Sequence, residues 1–391
     1  MPLTFEHLFA PALRYNPYPA YRALQRMGRP QWLAAAGDGE GMWLFTSHAQ
    51  VQTLLKHAHT TKQALADAPR RCPYDHNLLA QDGADHLRIR GALMKVFTRR
   101  RIDAMAAGIA TLADELLAPL LAEGSLDLME GFCKVLPAYV IADLLGVPRE
   151  DRPLFMTWSQ QLLNGPDAAN PNPKGFAQGV SELSGYFRRL LERHPGHSTD
   201  LTGALLASAE VRGRLSQDEL LALLVLMLVA GHETTVNLLG NAVWCLLATP
   251  GQYASLVAVP DLAAGAVEEA LRFESPVQRT TFRVATQHLT LGGIEVRQGQ
   301  QVSALLGAAN RDPQVFHDPD RFYITRTGPP HLAFGAGVHA CLGPALARLE
   351  GRIALQRLTQ LAPGLQLASP RADWNTSVTA VRGLRLLGVR L

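Results

Sequence analysis

A chain of 391 residues, 47% hydrophobic and 18% charged with a mean hydropathy of +0.02, has a globular composition, which excludes a disordered or fibrous protein. Its 37 basic and 34 acidic residues are interspersed and leave a net charge of +3, too little and too diffuse for a nucleic-acid-binding surface. Four cysteines, Cys72, Cys133, Cys245 and Cys341, stand far apart without a CxxC pair, a pattern of reduced cytosolic thiols and not of a disulfide scaffold.

The amino-terminal stretch MPLTFEHLFAPALRYNPYPAYRAL lacks the basic-then-apolar layout of a signal peptide. The longest wholly apolar run, LLALLVLMLVA at 220–230, falls short of the roughly 20 residues a bilayer requires. A cytoplasmic protein is expected, with neither membrane nor nucleic acid as a partner. Length alone would suggest two domains of roughly 150–200 residues. No Gly/Ser-rich or charge-rich linker, repeat or low-complexity tract interrupts the chain, however, so we expect one domain over 1–391, acting as a monomer.

Apolar residues at three- and four-residue spacings predict helices at 19–27, 48–57, 84–97, 102–121, 137–145 and 178–193. Two connectors break this pattern. The first, 58–81, contains Pro69 and Pro73; its Arg70, Arg71 and His76 read as solvent-exposed. The second, NGPDAANPNPKG at 164–175, holds too many prolines for a helix interior and reads as a loop or a lid over a pocket. A capping box of Ser216 and Glu219 then opens the longest helix, which continues through Ala248 and stops at Thr249-Pro250-Gly251. At 1.5 Å per residue it would be roughly 48 Å long, enough to cross a domain. A further helix is expected at 260–273, strands at 280–285, 289–291 and 301–305, and a last helix after Cys341. The fold class is mainly α with a minor β portion.

Cys341 lies in FGAGVHACLG. A thiolate ligand must stay deprotonated, which free cysteine does poorly at neutral pH. Here the N-terminal dipole of the following helix favours negative charge, glycines 335, 337 and 343 permit a tight loop with amides aimed at sulfur, and His339 adds a polar group two residues away. No cysteine or histidine cluster offers a tetrahedral zinc site. One thiolate therefore points to an axial ligand of a metal with its own equatorial donors.

In this loop the sequence resembles the bacterial, soluble class I type of cytochrome P450, whose haem iron is held by a cysteine thiolate. Further motifs extend the resemblance over nearly the whole chain. It implies the P450 fold, with haem b between the long helix and the Cys341 loop and Cys341 as metal ligand. AGHETT, 230–235, would place Ala230 and Gly231 at the haem face, with Glu233 and Thr234 as the acid–alcohol pair that delivers protons. EALR, 269–272, resembles a buried structural pair, Glu269 with Arg272. DGADHLRIR, 82–90, would supply His86 and Arg90 to the propionates, joined by Arg283 from TTFRVA and by His339. Phe334, Gly335 and Gly343 complete the cofactor contacts, and ANRDP at 309–313 and DPDRF at 318–322 match family landmarks.

The resemblance further implies a monooxygenase that activates O2 and inserts one oxygen atom, by hydroxylation or epoxidation, into a lipophilic small molecule. Leu226, Val229 and Ala230 would line its pocket. No GxGxxG-opened βαβ unit or iron–sulfur cysteine cluster is present, so electrons are expected from a separate ferredoxin and its NAD(P)H reductase. Basic residues near the Cys341 side (Arg88, Lys95, Arg99, Arg100, Arg101, Arg348) would receive that acidic partner. Two alternatives are a peroxide-driven haem-thiolate enzyme, against which Glu233 and Thr234 argue, and a haem gas sensor, for which no output domain is visible.

Overall fold

Ser216 begins the element around which the rest of the chain is arranged. Its hydroxyl accepts a hydrogen bond from the Glu219 amide (3.2 Å) while the Glu219 carboxylate accepts from the Ser216 amide (2.8 Å), the reciprocal cap expected from the sequence. The helix so capped runs Gln217–Ala248, and 19 of its 32 residues are buried. A helix apolar on most sides is stable only inside a protein or a bilayer. By length and composition this one could cross a membrane, with a mean hydropathy of 1.6 over its best window, but 56% of that window is buried inside the molecule. It is the core helix. The computed structural model describes residues 4, 8, 10–34, 41–62, 76–122, 124–163, 172–194, 200–208 and 213–391.

Helices Val135–Leu144, Pro173–Arg193, Ala263–Phe273 and Pro344–Leu361 pack directly on the long helix. His48–Lys56 and Gly83–Val96 begin within one residue of expectation. The single helix expected over 102–121 is instead two, Arg99–Ala104 and Ala106–Ala122. Thr98 caps the first, accepting from the Arg101 amide at 3.4 Å, and Met105 turns the chain between them. Helices Arg152–Leu163, Leu201–Ala207 and Gln252–Ala258 were not foreseen. Of the expected 164–175 lid, 164–171 lies outside the described residues. From Pro173 the chain is already helical, because Asn172 caps the Gly175 amide at 2.9 Å and proline at a first helical position loses no needed N–H.

The minor β portion includes a five-stranded sheet in the order Gln31–Leu33, Met42–Phe45, Gln301–Ala304, Arg283–Ala285, Thr60–Thr61. Met42–Phe45 runs parallel to Gln301–Ala304, with Phe45 opposite Ala304; the other pairings are antiparallel. One face buries Phe45, Val302 and Ala304 against Val51 and Leu54 of His48–Lys56. That packing fixes Arg283 and the end of His48–Lys56 on the same side as the Cys341 loop.

Candidate active site

Two left-handed glycines shape the loop before Cys341. Gly335 has φ +69 and Gly337 φ +73, and a Cβ at Gly337 would lie 2.4 Å from the Leu55 carbonyl oxygen, so only glycine fits. The Cys341 amide then donates to the Phe334 carbonyl (2.9 Å), and the Gly343 amide donates to Cys341 Sγ (3.3 Å) at the start of helix Pro344–Leu361. Gly343 itself has φ −96, so the turn asks nothing special of its backbone; its contribution is the N–H. Although the residue is exposed overall, loss of hydration pushes the thiol pKa up, opposed by the Gly343 amide and the charges of Arg90 and Arg348. Arg348 also lies over the Phe334 ring, 4.7 Å from its centroid, and pairs with Glu268 at 2.6 Å.

Beside this loop the structure gathers the expected donors from distant segments. The rings of His86 and His339 are 4.3 Å apart, and Arg90 is close enough for its charge to lower the His86 pKa. Arg283, buried, reaches Thr60 Oγ1 and the Leu55 carbonyl, each at 3.4 Å. His339 departs from expectation: its Nε2 meets Asp82 Oδ1 at 2.6 Å, so one ring nitrogen is engaged by a carboxylate of the protein. Asp82 precedes helix Gly83–Val96 yet caps no amide there. Its oxygens accept instead from His339, from Thr61 Oγ1 (2.7 Å) and from the Lys62 amide. Burial works against the Asp82 carboxylate, but these bonds hold its pKa well below the ordinary range. Asp82 had no expected role in its motif, because nothing local in the sequence links it to His339, 257 positions along the chain.

His86 is pushed down to about 4, by burial first and then by neighbouring positive groups, so it is neutral at pH 7. Two buried nitrogens here, His86 Nε2 and Arg283 Nε, have no partner among the described residues. A cavity of about 480 Å³ opens against Arg283, Asp82, Thr60 and Gly337.

On the long helix, Thr234 Oγ1 donates to the Ala230 carbonyl at 2.7 Å, the back-bond expected from the sequence, and Thr235 repeats it to Gly231 at 3.1 Å. Ala230 is exposed and Thr234 half-buried, with half-buried Val229 and buried Leu226 nearby. Gly231 does not share that face. A Cβ there would meet Ile141 at 3.1 Å, so it admits helix Val135–Leu144. Burial pushes the Glu233 pKa up to about 7, against the lowering influence of Asn237 and Lys134.

A family model described as Cytochrome P450 matches residues 186–361. Cytochrome P450 107B1 of Saccharopolyspora erythraea is 39% identical over 407 aligned residues, covering 99% of this chain and 97% of that protein. The P450 monooxygenase PikC of Streptomyces venezuelae is 37% identical, covering 96% and 91%. The chain belongs to the cytochrome P450 family. A crystal structure of P450BioI bound to an acyl carrier protein ligated with hexadec-9-enoic acid superposes with a TM-score of 0.89 at 34% identity, covering 98% of this chain and all of that one. The fold is thus the P450 fold and the protein a P450 monooxygenase, as the sequence indicated.

Membership in the P450 family implies haem, and the residues fit it. The orphaned Arg283 N–H requires an acceptor, which a propionate provides, His86 can donate to one from its Nε2 tautomer, and the amide-supported Cys341 sulfur suits a metal ligand. Behind this loop Glu269 and Arg272 are buried and joined by two bonds, at 2.7 and 2.8 Å. A third member, Arg326, donates to both Glu269 oxygens at 3.0 Å and was missed in the sequence. It lies 54 residues beyond Arg272, and no spacing rule links such distant positions. The Arg272 guanidinium also reaches the carbonyls of Asn310, Pro319 and Arg321, which ties both expected landmarks, 309–313 and 318–322, to this pair.

Proposed function

We propose that this P450 uses O2, two electrons and two protons to insert one oxygen atom, by hydroxylation or epoxidation, into a lipophilic small molecule, as a single cytoplasmic P450 domain and a monomer. The observation that carries the reading is the Cys341 sulfur held by the Gly343 amide at the foot of an 18-residue helix. Haem b, when bound, supplies the redox chemistry that cleaves O2. Cys341 would hold its iron through the thiolate, and His86, Arg90 and Arg283 would hold its propionates, with His339 braced by Asp82. Glu233 holds a proton at its carboxyl. Thr234, having donated its own hydroxyl hydrogen to Ala230, presents oxygen lone pairs to a protonated group on that face.

Leu226, Val229 and Ala230 give the substrate an apolar wall that excludes water. An acyl-chain ligand bound by the structural relative P450BioI supports a lipophilic substrate. Electrons come from a separate ferredoxin and its NAD(P)H reductase. The presence of both Glu233 and Thr234 favours this reading over a peroxide-driven one, since peroxide brings its own protons.

The absorbance spectrum of the reduced, carbon monoxide-bound protein tests the reading. The wild type should show the red-shifted Soret band of thiolate ligation, and Cys341→Ser should lose it while remaining folded by circular dichroism. An unchanged band in Cys341→Ser would exclude Cys341 as the ligand.

A further inference from the structure

Strand Thr60–Thr61 pairs antiparallel with Arg283–Ala285, Thr60 opposite Ala285 and Thr61 opposite Val284. Carried one residue further, that register sets Lys62 opposite Arg283, two cations on one face at a sheet edge. Like charges so placed destabilise a strand pair. The Lys62 ammonium donates to Thr281 Oγ1 at 2.7 Å, two residues before Arg283 and on the same face. Thr281 and Phe282 are exposed, so the ammonium ends at an open edge and not in the core.

Among the described residues no carboxylate pairs with this ammonium. Asp82 is the one acid that acts on it, and both Asp82 oxygens are already engaged. Oδ1 meets His339 at 2.6 Å, while Oδ2 accepts from Thr61 Oγ1 and from the Lys62 backbone amide. Burial first, then the Arg283 charge, push the Lys62 pKa down to about 8 against the opposing pull of Asp82. Arg283 is answered no better, by a hydroxyl and a carbonyl each at 3.4 Å. Burial holds the pKa values of His86 and His339 below the ordinary value, so both rings are neutral at pH 7. Lys62, Arg90 and Arg283 therefore set three positive charges against one carboxylate, and the surplus of two equals the charge of the two haem propionates.

We propose that Lys62 is a further cofactor-holding residue, its ammonium closing on a haem propionate beside Arg283 while Thr281 aims it. The proposal rests on the haem-thiolate reading. An ammonium has three N–H donors; Thr281 takes one and two are left for a carboxylate. A propionate between Lys62 and Arg283 turns their repulsion into two attractions. Asp82 then acts as a bracket, because one carboxylate fixes the Lys62 backbone and the His339 ring and so sets the strand and the Cys341 loop about the same group.

The test uses the haem-loaded ferric protein. Resonance Raman spectra contain a propionate bending mode that reports hydrogen bonds to the carboxylate, and Lys62→Met should shift it. Loss of a bond between charged groups should also speed haem transfer to apomyoglobin about tenfold. Removing a cation disfavours electron uptake, so the reduction equilibrium should fall about tenfold, which is 59 mV for one electron. Lys62→Arg should restore all three, and Thr281→Val, which keeps the cation and loses its aim, should move the Raman mode by less. If Lys62→Met fails to fold, Lys62→Gln, which keeps a donor for Thr281 without the charge, should give the same three changes. A wild-type Raman mode and transfer rate in the uncharged variant overturn the proposal. So does an unchanged mode with weakened binding of dodecanoate, which would assign the ammonium to a substrate carboxylate. The carbon monoxide spectrum of the wild type decides the haem-thiolate reading independently of these variants.

Discussion

Thr234 shows how one hydroxyl can be given a direction. Because its hydrogen is committed to the Ala230 carbonyl at 2.7 Å, the oxygen can act only as an acceptor toward the open face of the helix. Thr234→Val keeps the shape and removes that acceptor. NAD(P)H consumption should continue while product falls by at least about tenfold and hydrogen peroxide accumulates; tight coupling in this variant would contradict the role. Glu233 makes a separate prediction about stability. Its pKa stands raised, at about 7 against an ordinary 4.5, because burial disfavours the anion. The unfolded chain therefore releases this proton first as pH rises, and stability is complete below about 4.5 and lost as pH climbs through 7. Above both values the cost is about 3 kcal/mol. Glu233→Gln removes the titration, so the gap between its unfolding midpoint and that of wild type should widen in its favour from pH 5 to pH 8.5. A gap that stays constant would show that Glu233 is not buried as an acid.

At the scale of elements, the Glu269 network joins the end of helix Ala263–Phe273 to the chain that approaches the Cys341 loop. Glu269 answers two guanidiniums and also accepts from the Tyr323 amide at 2.9 Å. Glu269→Ala would leave Arg272, which is buried, without its carboxylate, at a cost of about 3–5 kcal/mol. Lower denaturant midpoints and lower haem content at equal expression are expected. Wild-type stability would mean that the carbonyls around Arg272 suffice. The same network marks the limit of what the sequence reveals. Capping chemistry and periodicity are local, so Ser216, Glu219 and the stop at Thr249 located the long helix to the residue. The short strands Gln31–Leu33 and Met42–Phe45 escaped, because segments this short are stabilised by partners far along the chain. The site divides the same way. Motif residues Cys341, His86, Arg283 and Thr234 were legible, whereas Asp82 bracing His339, Gly231 turning to Ile141 and Arg326 closing the Glu269 pair are tertiary facts.

For the whole molecule, the proposed ferredoxin needs a face near the Cys341 loop, and the structure narrows the basic set named from the sequence. Arg88 pairs with Asp85 and Glu219, Arg99 with Asp103, and Arg348 with Glu268, so the charges of these three are met by acids of this chain. Lys95 and Arg100 are exposed, at the end of helix Gly83–Val96 and the start of Arg99–Ala104. Leu87 and Met94, seven residues apart and therefore on one side of that helix, are 62% and 56% exposed, unusual for large apolar side chains. An apolar stripe with cations at its end suits an acidic protein that binds briefly and leaves, because steering speeds encounter without requiring a tight complex. Lys95→Glu combined with Arg100→Glu should slow haem reduction by added ferredoxin about tenfold at low salt. Screening shortens the reach of these charges to about 3 Å at 1 M salt, so the difference should shrink there. Peroxide-supported turnover and the carbon monoxide spectrum should not change, since neither passes through this face. An unaltered rate of ferredoxin reduction at low salt would place the electron entry elsewhere on the molecule.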